Sequence, residues 1–412
     1  MTDWIALALL MAAAAVIAEA PGLFLVAAIT VAYGSVTRLW TRYGLRRVEY
    51  SRSLTATRAI AGDSVGLDVA IWNRKPLPLP WVAANDAVTD GLGIRERPEM
   101  DRAEGRLGRR LLHNAWALAW YERVVRHFHL DELRRGVYEF GPVHLRVRDI
   151  LGRDAVDEEE ELPETLIVGP RTAAVHRRHS EVAPIGERRA RQSLYTDPAL
   201  YGGVRPFQPG DSLRRVHWRA TARLGTPVSR RYEPARGREV VLAMDVQTVE
   251  GADWEMTWDE QTFEEMCITA ASLTRELLTD GASVGLAAAS FTGTPQRLAW
   301  LAPQASLGQL ARAEELLARI GPIASGPFGA LLTWLTRRVP AGATIVVITA
   351  RDPRGHLPAL RRLRRSGYGV ELVAAGPAGG EHAGLARRAG LAASAAEVKP
   401  SVEHAEAVIL GR

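Results

Sequence analysis

The chain has 412 residues, of which 47% are hydrophobic, and a formal charge of +5, so it has room for two or three domains with sizeable cores. Its single cysteine, Cys267, excludes an intrachain disulfide and any multi-cysteine zinc cluster. Lys75 and Lys399 are the only lysines among 52 basic residues, a bias that fits a GC-rich genome better than nucleic-acid binding, where lysines usually share the phosphate contacts.

Between residues 4 and 37 the only charged side chain is Glu19, beside the Pro21-Gly22 interruption. Residues 4–18 and 23–37 are two apolar segments of about 15 residues, near the lower limit for a bilayer span. Their pairing predicts a transmembrane helical hairpin within residues 1–47. A cleaved signal peptide needs a basic start, and residues 1–3 carry an acid instead. Arg38, Arg42, Arg46 and Arg47 follow, which places the flank and the bulk of the chain in the cytoplasm of a two-pass cell-membrane protein.

Residues 48–168 alternate with period two, as in Val65, Leu67, Val69 and Ile71 and again in Val143, Leu145 and Val147. Proline and glycine punctuate the runs, which predicts a small antiparallel β-sandwich. The acid run 157–161 reads as a solvated loop before a last strand at 165–168. Residues 169–200, polar and arginine-bearing, read as a linker.

Residues 201–236 carry eight arginines against two acids, Asp211 and Glu233. The run DSLRRVHWRATARLG predicts a helix capped by Asp211 and stopped by Gly225, with Leu213, Val216, Ala220 and Leu224 buried. Arg215, Arg219 and Arg223 then fall on one stripe that calls for an anionic partner or neighbouring carboxylates. From 237 to 412 the pattern is strand then helix: strands at 240–246, 283–289, 344–349 and 369–374, an edge strand at 297–301, and helices at 261–280, 306–320, 327–338 and 357–366. This is an open α/β sheet, whose ligands bind beyond the carboxyl ends of the strands, where Asp245 and Asp352 lie.

Residues 203–218, GVRPFQPGDSLRRVHW, with Ala220, Ala222, Arg223 and Glu233 and the strand into Asp245, resemble the signature of the domain-of-unknown-function 58 family. The earlier run RGVYEFGPV at 135–143, leading into Asp149 and Gly152, is also similar to that family. The signature positions are Arg205, Gly210, Asp211, Arg214, Arg215, His217, Trp218, Arg219, Arg223 and Glu233. The resemblance implies two membrane segments, a β-rich domain and a von Willebrand factor A-like α/β domain. It also implies protein partners, a MoxR-type AAA+ ATPase and a transglutaminase-like membrane protein, and hence an adaptor or scaffold with no established enzymatic activity. The alternative reading is a phosphate- or nucleic-acid-binding enzyme that uses the arginines.

The von Willebrand likeness raises a metal site, but Asp245-Val-Gln247-Thr248-Val249 lacks both serines of the Asp-x-Ser-x-Ser pattern that presents aligned oxygens to a hard cation. Asp245, Gln247, Thr248 and Asp352 are the residues that a magnesium ion would use; no other cofactor is implied. Gly281-Ala-Ser283-Val-Gly285 matches G-x-S-x-G, but a helix precedes it and a strand follows, the reverse of a nucleophile elbow. His127 and His129 lack a third ligand nearby, Cys267 lies on an apolar helix face, and no Walker A motif supports ATP use.

Overall fold

A computed structural model describes residues 10–14, 16–17, 21–95, 100–102, 108–148, 155–177, 196–207, 216–234, 238–251, 257–292, 297–399 and 407–411. The chain divides into two compact units, Met1–Gly169 and Pro170–Arg412.

The first unit opens with helix α1, Pro21–Tyr43. Proline suits the first helical position, where its missing N–H has no partner to lose. Phe24, Leu25, Ile29 and Val36 of this helix are exposed. Its C-terminal end is fixed to the rest of the unit: Trp40 Nε1 donates to the Pro78 carbonyl at 3.1 Å, Lys75 Nζ donates to the Gly44 carbonyl at 2.8 Å, and Leu45 enters the core. Gly44 permits this close packing, because a Cβ there would lie 2.5 Å from the Trp40 carbonyl oxygen. Among the described residues no helix is long and apolar enough to cross a membrane, so the predicted transmembrane hairpin is not supported. Tyr33, Ser35 and Thr37 dilute the second apolar segment, Arg38 and Arg42 follow it in the same helix, and most of the first lies outside the described residues.

The rest of the unit is two sheets around one core. One has the order β1 (Val48–Leu54), β3 (Val65–Asn73), β8 (Arg123–Asp131), β5 (Gly93–Ile94). The other runs β2 (Arg58–Ile60), β11 (Glu164–Gly169), β9 (Gly136–Arg148), β4 (Leu79–Thr89), β7 (Arg109–Leu118), β6 (Met100–Arg102), with β10 (Ala155–Glu160) also on β9. The period-two residues Leu67, Val69 and Ile71 from one sheet meet Val143, Leu145 and Val147 from the other, all buried in the same core. Each such side chain contributes about 1.5–3 kcal/mol. The acid run departs from the loop reading, since 157–160 belongs to β10, an exposed strand. Its register sets Asp157 opposite Arg146, whose guanidinium forms two hydrogen bonds with it at 2.6 and 2.8 Å.

A charged cluster links the two sheets from within. Arg52 on β1 reaches Asp86 on β4 and, at 3.0 Å, Glu164 on β11; the side chains of Arg52 and Asp86 are 2% and 0% exposed. Tyr50 donates to Asp86 at 3.0 Å, and the guanidinium lies 5.0 Å from the Phe140 ring centre. Burial pushes the Asp86 carboxyl above its usual range despite the opposing pull of Arg52.

The second unit is built on an eight-stranded sheet with the order β12 (Ala174–Arg177), β21 (Ala407–Gly411), β20 (Ala392–Lys399), β19 (Gly369–Ala374), β18 (Thr344–Thr349), β15 (Glu239–Met244), β16 (Ser283–Ala288), β17 (Ala299–Gln304). From β20 to β16 the neighbours are parallel. Two of the outer strands use residues that fall outside the predicted pattern: β12 lies in the segment read as a linker, and β21 pairs with it. The apolar run of β15 feeds two cores, because successive side chains point to opposite faces. Val240, Leu242 and Met244 face one core, and Val241 and Ala243 face the other.

Helix α3 (Glu260–Thr279) covers the first face with Phe263, Met266, Cys267, Ala270, Leu273 and Leu277. Asp259 caps it by accepting the Thr262 amide at 3.1 Å. Helix α4 (Gln309–Arg319) adds Leu317 to that core. Helices α5 (Phe328–Leu335), α6 (Leu357–Arg365) and α7 (Gly379–Arg388) cover the opposite face. Ser283 begins β16 after the α3 turn, and a Cβ on Gly285 would stand 2.7 Å from the Leu301 carbonyl oxygen, so this G-x-S-x-G serves close strand pairing.

Candidate functional site

The signature segment folds as a hairpin with a short helix inside it. Strands β13 (Thr196–Pro206) and β14 (Val228–Pro234) pair antiparallel, and helix α2 (Trp218–Leu224) lies between them in sequence. The helix starts later than the sequence pattern suggests. His217 is its N-cap, with Nδ1 accepting the Ala220 amide at 3.1 Å, in the place assigned to Asp211. Gly225 ends it in the left-handed region at φ 68°, and its amide returns to the Thr221 carbonyl, as the sequence predicts.

Of the predicted buried stripe, Leu213 lies outside the described residues, and the other three residues do not form one. Val216 is buried, but it precedes the helix and bridges to Ser229; Ala220 is half-buried, and Leu224 is 58% exposed. No residue of α2 is buried, and Trp218 is 67% exposed. A seven-residue helix offers one apolar face of two turns at most, and here that face is not used. Arg219 and Arg223 stand one turn apart, both exposed, and neither has an ion-pair partner among the described residues. Gly210, Asp211, Arg214 and Arg215 lie outside the described residues, while Arg205 and Glu233 belong to β13 and β14.

A second cluster lies at the carboxyl end of the parallel strands. Asp245 follows β15 with its side chain 3% exposed. Arg351, just past β18, donates Nε to Asp245 Oδ2 at 3.0 Å and Nη2 to Oδ1 at 3.1 Å, a side-on bidentate pair. Thr349 Oγ1 donates to Oδ2 at 3.1 Å, and His356 Nε2 is 3.2 Å from the same oxygen. The His356 ring meets Phe328 edge to face, with ring centres 5.2 Å apart. A 3₁₀ turn at Pro353–Gly355 brings His356 back over the strand ends.

Three of the four residues named for a magnesium ion have oxygens engaged within the chain. The Asp245 oxygens already accept from a guanidinium, which would repel a divalent cation. Thr248 Oγ1 accepts the Asp259 amide at 2.8 Å, and Asp352 accepts from the Arg354 amide at 2.8 Å. Gln247 is half-buried. No group of three or more His, Cys, Asp or Glu side chains among the described residues is placed to hold a metal. His127 pairs instead with Asp68 at 2.7 Å, and Cys267 is fully buried. Arg351 and His356 carry no sequence signal that ties them to a carboxylate more than a hundred residues away.

Among solved structures, the chain is similar to the CARDB domain of a Pyrococcus furiosus protein described in complex with di-metal ions. That match is 11% identical with a TM-score of 0.20, covering 29% of this chain and 93% of that one. A cohesin module of a Clostridium perfringens family 33 glycoside hydrolase is 10% identical with a TM-score of 0.21, covering 30% and 98%. Similarities at this level carry no argument about function. Among curated proteins, the uncharacterized protein YeaD of Bacillus subtilis is 28% identical over 250 residues, 60% of this chain, and the match spans 56% of the length of that relative. The family described as protein of unknown function DUF58 matches residues 203–352, from β13 through α2 and the Asp245 cluster to Asp352.

Proposed function

We propose that this protein is a membrane-associated adaptor or scaffold whose second unit, a von Willebrand factor A-like domain, docks other proteins. The observation that carries the reading is helix α2, which is capped at both ends yet buries none of its residues. It exposes a tryptophan and two arginines, residue types enriched at interface hot spots, beside an exposed leucine. The resemblance of the segment to the domain-of-unknown-function 58 signature points to a MoxR-type AAA+ ATPase as that partner, with a transglutaminase-like membrane protein in the same assembly.

The Asp245 cluster supports the same reading. In a domain of this kind the strand-end carboxylate would hold a divalent ion for a partner's acid; here Arg351 supplies the positive charge from within the chain. The domain would therefore engage its partners without a bound metal. The exposed apolar helix α1 and the arginines that follow it support attachment to the cell membrane, with the two units on the cytoplasmic side.

The reading is tested by isolating the intact protein from its native membrane in mild detergent and identifying what accompanies it. Recovery of a hexameric ATPase is the expected result. Consistent recovery of the protein alone, or with nucleic acid released by salt, would oppose it.

A further inference from the structure

We infer that one end of the β-sandwich is a binding face for anionic phospholipid, with Trp120 and Tyr121 as its interfacial anchor. The inference rests on the membrane association proposed above and assigns it to a specific surface. Strand β7 ends at Leu118 in one sheet and β8 begins at Arg123 in the other, so residues 119–122 cross the end of the sandwich.

This turn is held firmly. Asn73, fully buried, donates Nδ2 to the Ala119 carbonyl at 2.8 Å and to the Leu77 carbonyl at 2.9 Å. Glu122 accepts the Ala119 amide at 2.6 Å, and the Tyr121 amide donates to the Lys75 carbonyl at 3.3 Å. Tyr121 has φ 55°, a region that bulky residues seldom enter. Yet Trp120 and Tyr121 are 68% and 62% exposed, so the turn presents its two aromatics to the outside.

The same end carries an apolar recess of about 460 Å³ lined by Trp40, Pro78, Leu79, Pro80, Ala117 and Leu118. Trp40 is the point where α1 joins the sandwich, which makes the recess and the turn continuous with the exposed apolar helix. Basic charge borders them: the guanidinium groups of Arg42 and Arg46 lie 5.9 and 5.1 Å from the Tyr43 ring centre, and Arg47 is exposed. Of the acids near this edge, Glu49 pairs with Arg74 at 2.6 Å and Glu122 accepts the Ala119 amide, while Glu160 stands close enough to Glu49 and Glu158 to interact with both, so the basic side of the face is the one formed by Arg42, Arg46 and Arg47. Tryptophan and tyrosine beside apolar surface, with arginines at headgroup level, match the layered chemistry of a bilayer interface. The excess of arginine selects anionic headgroups.

The test is flotation of the full chain with phosphatidylcholine vesicles, with and without phosphatidylglycerol. Trp120→Ser combined with Tyr121→Asn, asparagine being tolerant of positive φ, is compared with Leu25→Glu combined with Ile29→Glu and with Trp120→Ser alone. Thermal melting checks that each variant is folded. The expected result is stronger partitioning of the wild type into anionic vesicles and a roughly tenfold or greater loss in the turn variant. Wild-type partitioning by the turn variant, with loss in the helix variant, would overturn the anchor while leaving membrane association intact. A wild type that ignores both vesicles would overturn both readings, and equal partitioning into the two would overturn the anionic preference.

Discussion

Replacing Arg351 by alanine removes the cation that faces Asp245 and leaves the carboxylate buried. Its side chain is 3% exposed and would keep only Thr349 at 3.1 Å and His356 at 3.2 Å in place of the bidentate guanidinium. Breaking one side of a buried pair costs about 3–5 kcal/mol, because the surviving charge is neither hydrated nor matched. For a unit of this size each kcal/mol moves the melting midpoint by about 2–4 °C, so a fall of roughly 6–20 °C is expected by circular dichroism. The double variant Asp245→Asn with Arg351→Met removes both charges and should recover most of that loss. A single variant that melts within about 1 kcal/mol of wild type, or a double variant no better than the single, would refute the idea that Arg351 is the cation of this site.

Four further outcomes follow from the same structure. Magnesium at millimolar concentration should leave the wild-type midpoint where it is, since the Asp245 oxygens are engaged; a rise with saturation would contradict this. Arg52→Met should destabilise the sandwich by about 3–5 kcal/mol in urea titrations, because Asp86 is left buried without its counter-charge. Burial holds Lys75 at about 8, so between that pH and the ordinary lysine value of about 10.4 the unfolded chain binds the extra proton. Stability of the first unit should therefore rise with pH through that window, and Lys75→Met should flatten the rise. Cys267, fully buried, should react with a thiol reagent only as fast as the second unit opens; rapid labelling under native conditions would place it elsewhere.

Much of the architecture was legible because burial leaves a period in the sequence. Leu67, Val69 and Ile71 announce a half-buried strand, and Phe263, Met266, Cys267 and Ala270 announce a helix face; both enter the expected cores. Periodicity fails where the partner is remote. Nothing local marks Arg351 for Asp245, or Arg52 for Asp86 and Glu164, since these pairs depend on sheet order and register. It also misleads where charge is taken for a loop, as in 157–160, which are exposed as expected but pair with β9 as a strand. In the signature segment the apolar spacing of Leu213, Val216, Ala220 and Leu224 predicts one continuous helix, of which the last three residues are described. His217 capped a shorter one, and only Val216 of the three is buried.

Whether helix α2 is a docking surface is decided by one comparison. The triple variant Trp218→Ala, Arg219→Glu, Arg223→Glu is expressed in place of the wild type, and both are recovered from the membrane in mild detergent with their melting curves recorded. The expected result is an unchanged midpoint, because these side chains are exposed, together with loss of the proposed ATPase partner. Undiminished recovery of that partner would show that the helix is not the docking surface, and a variant that unfolds would show that it serves the fold of this chain instead.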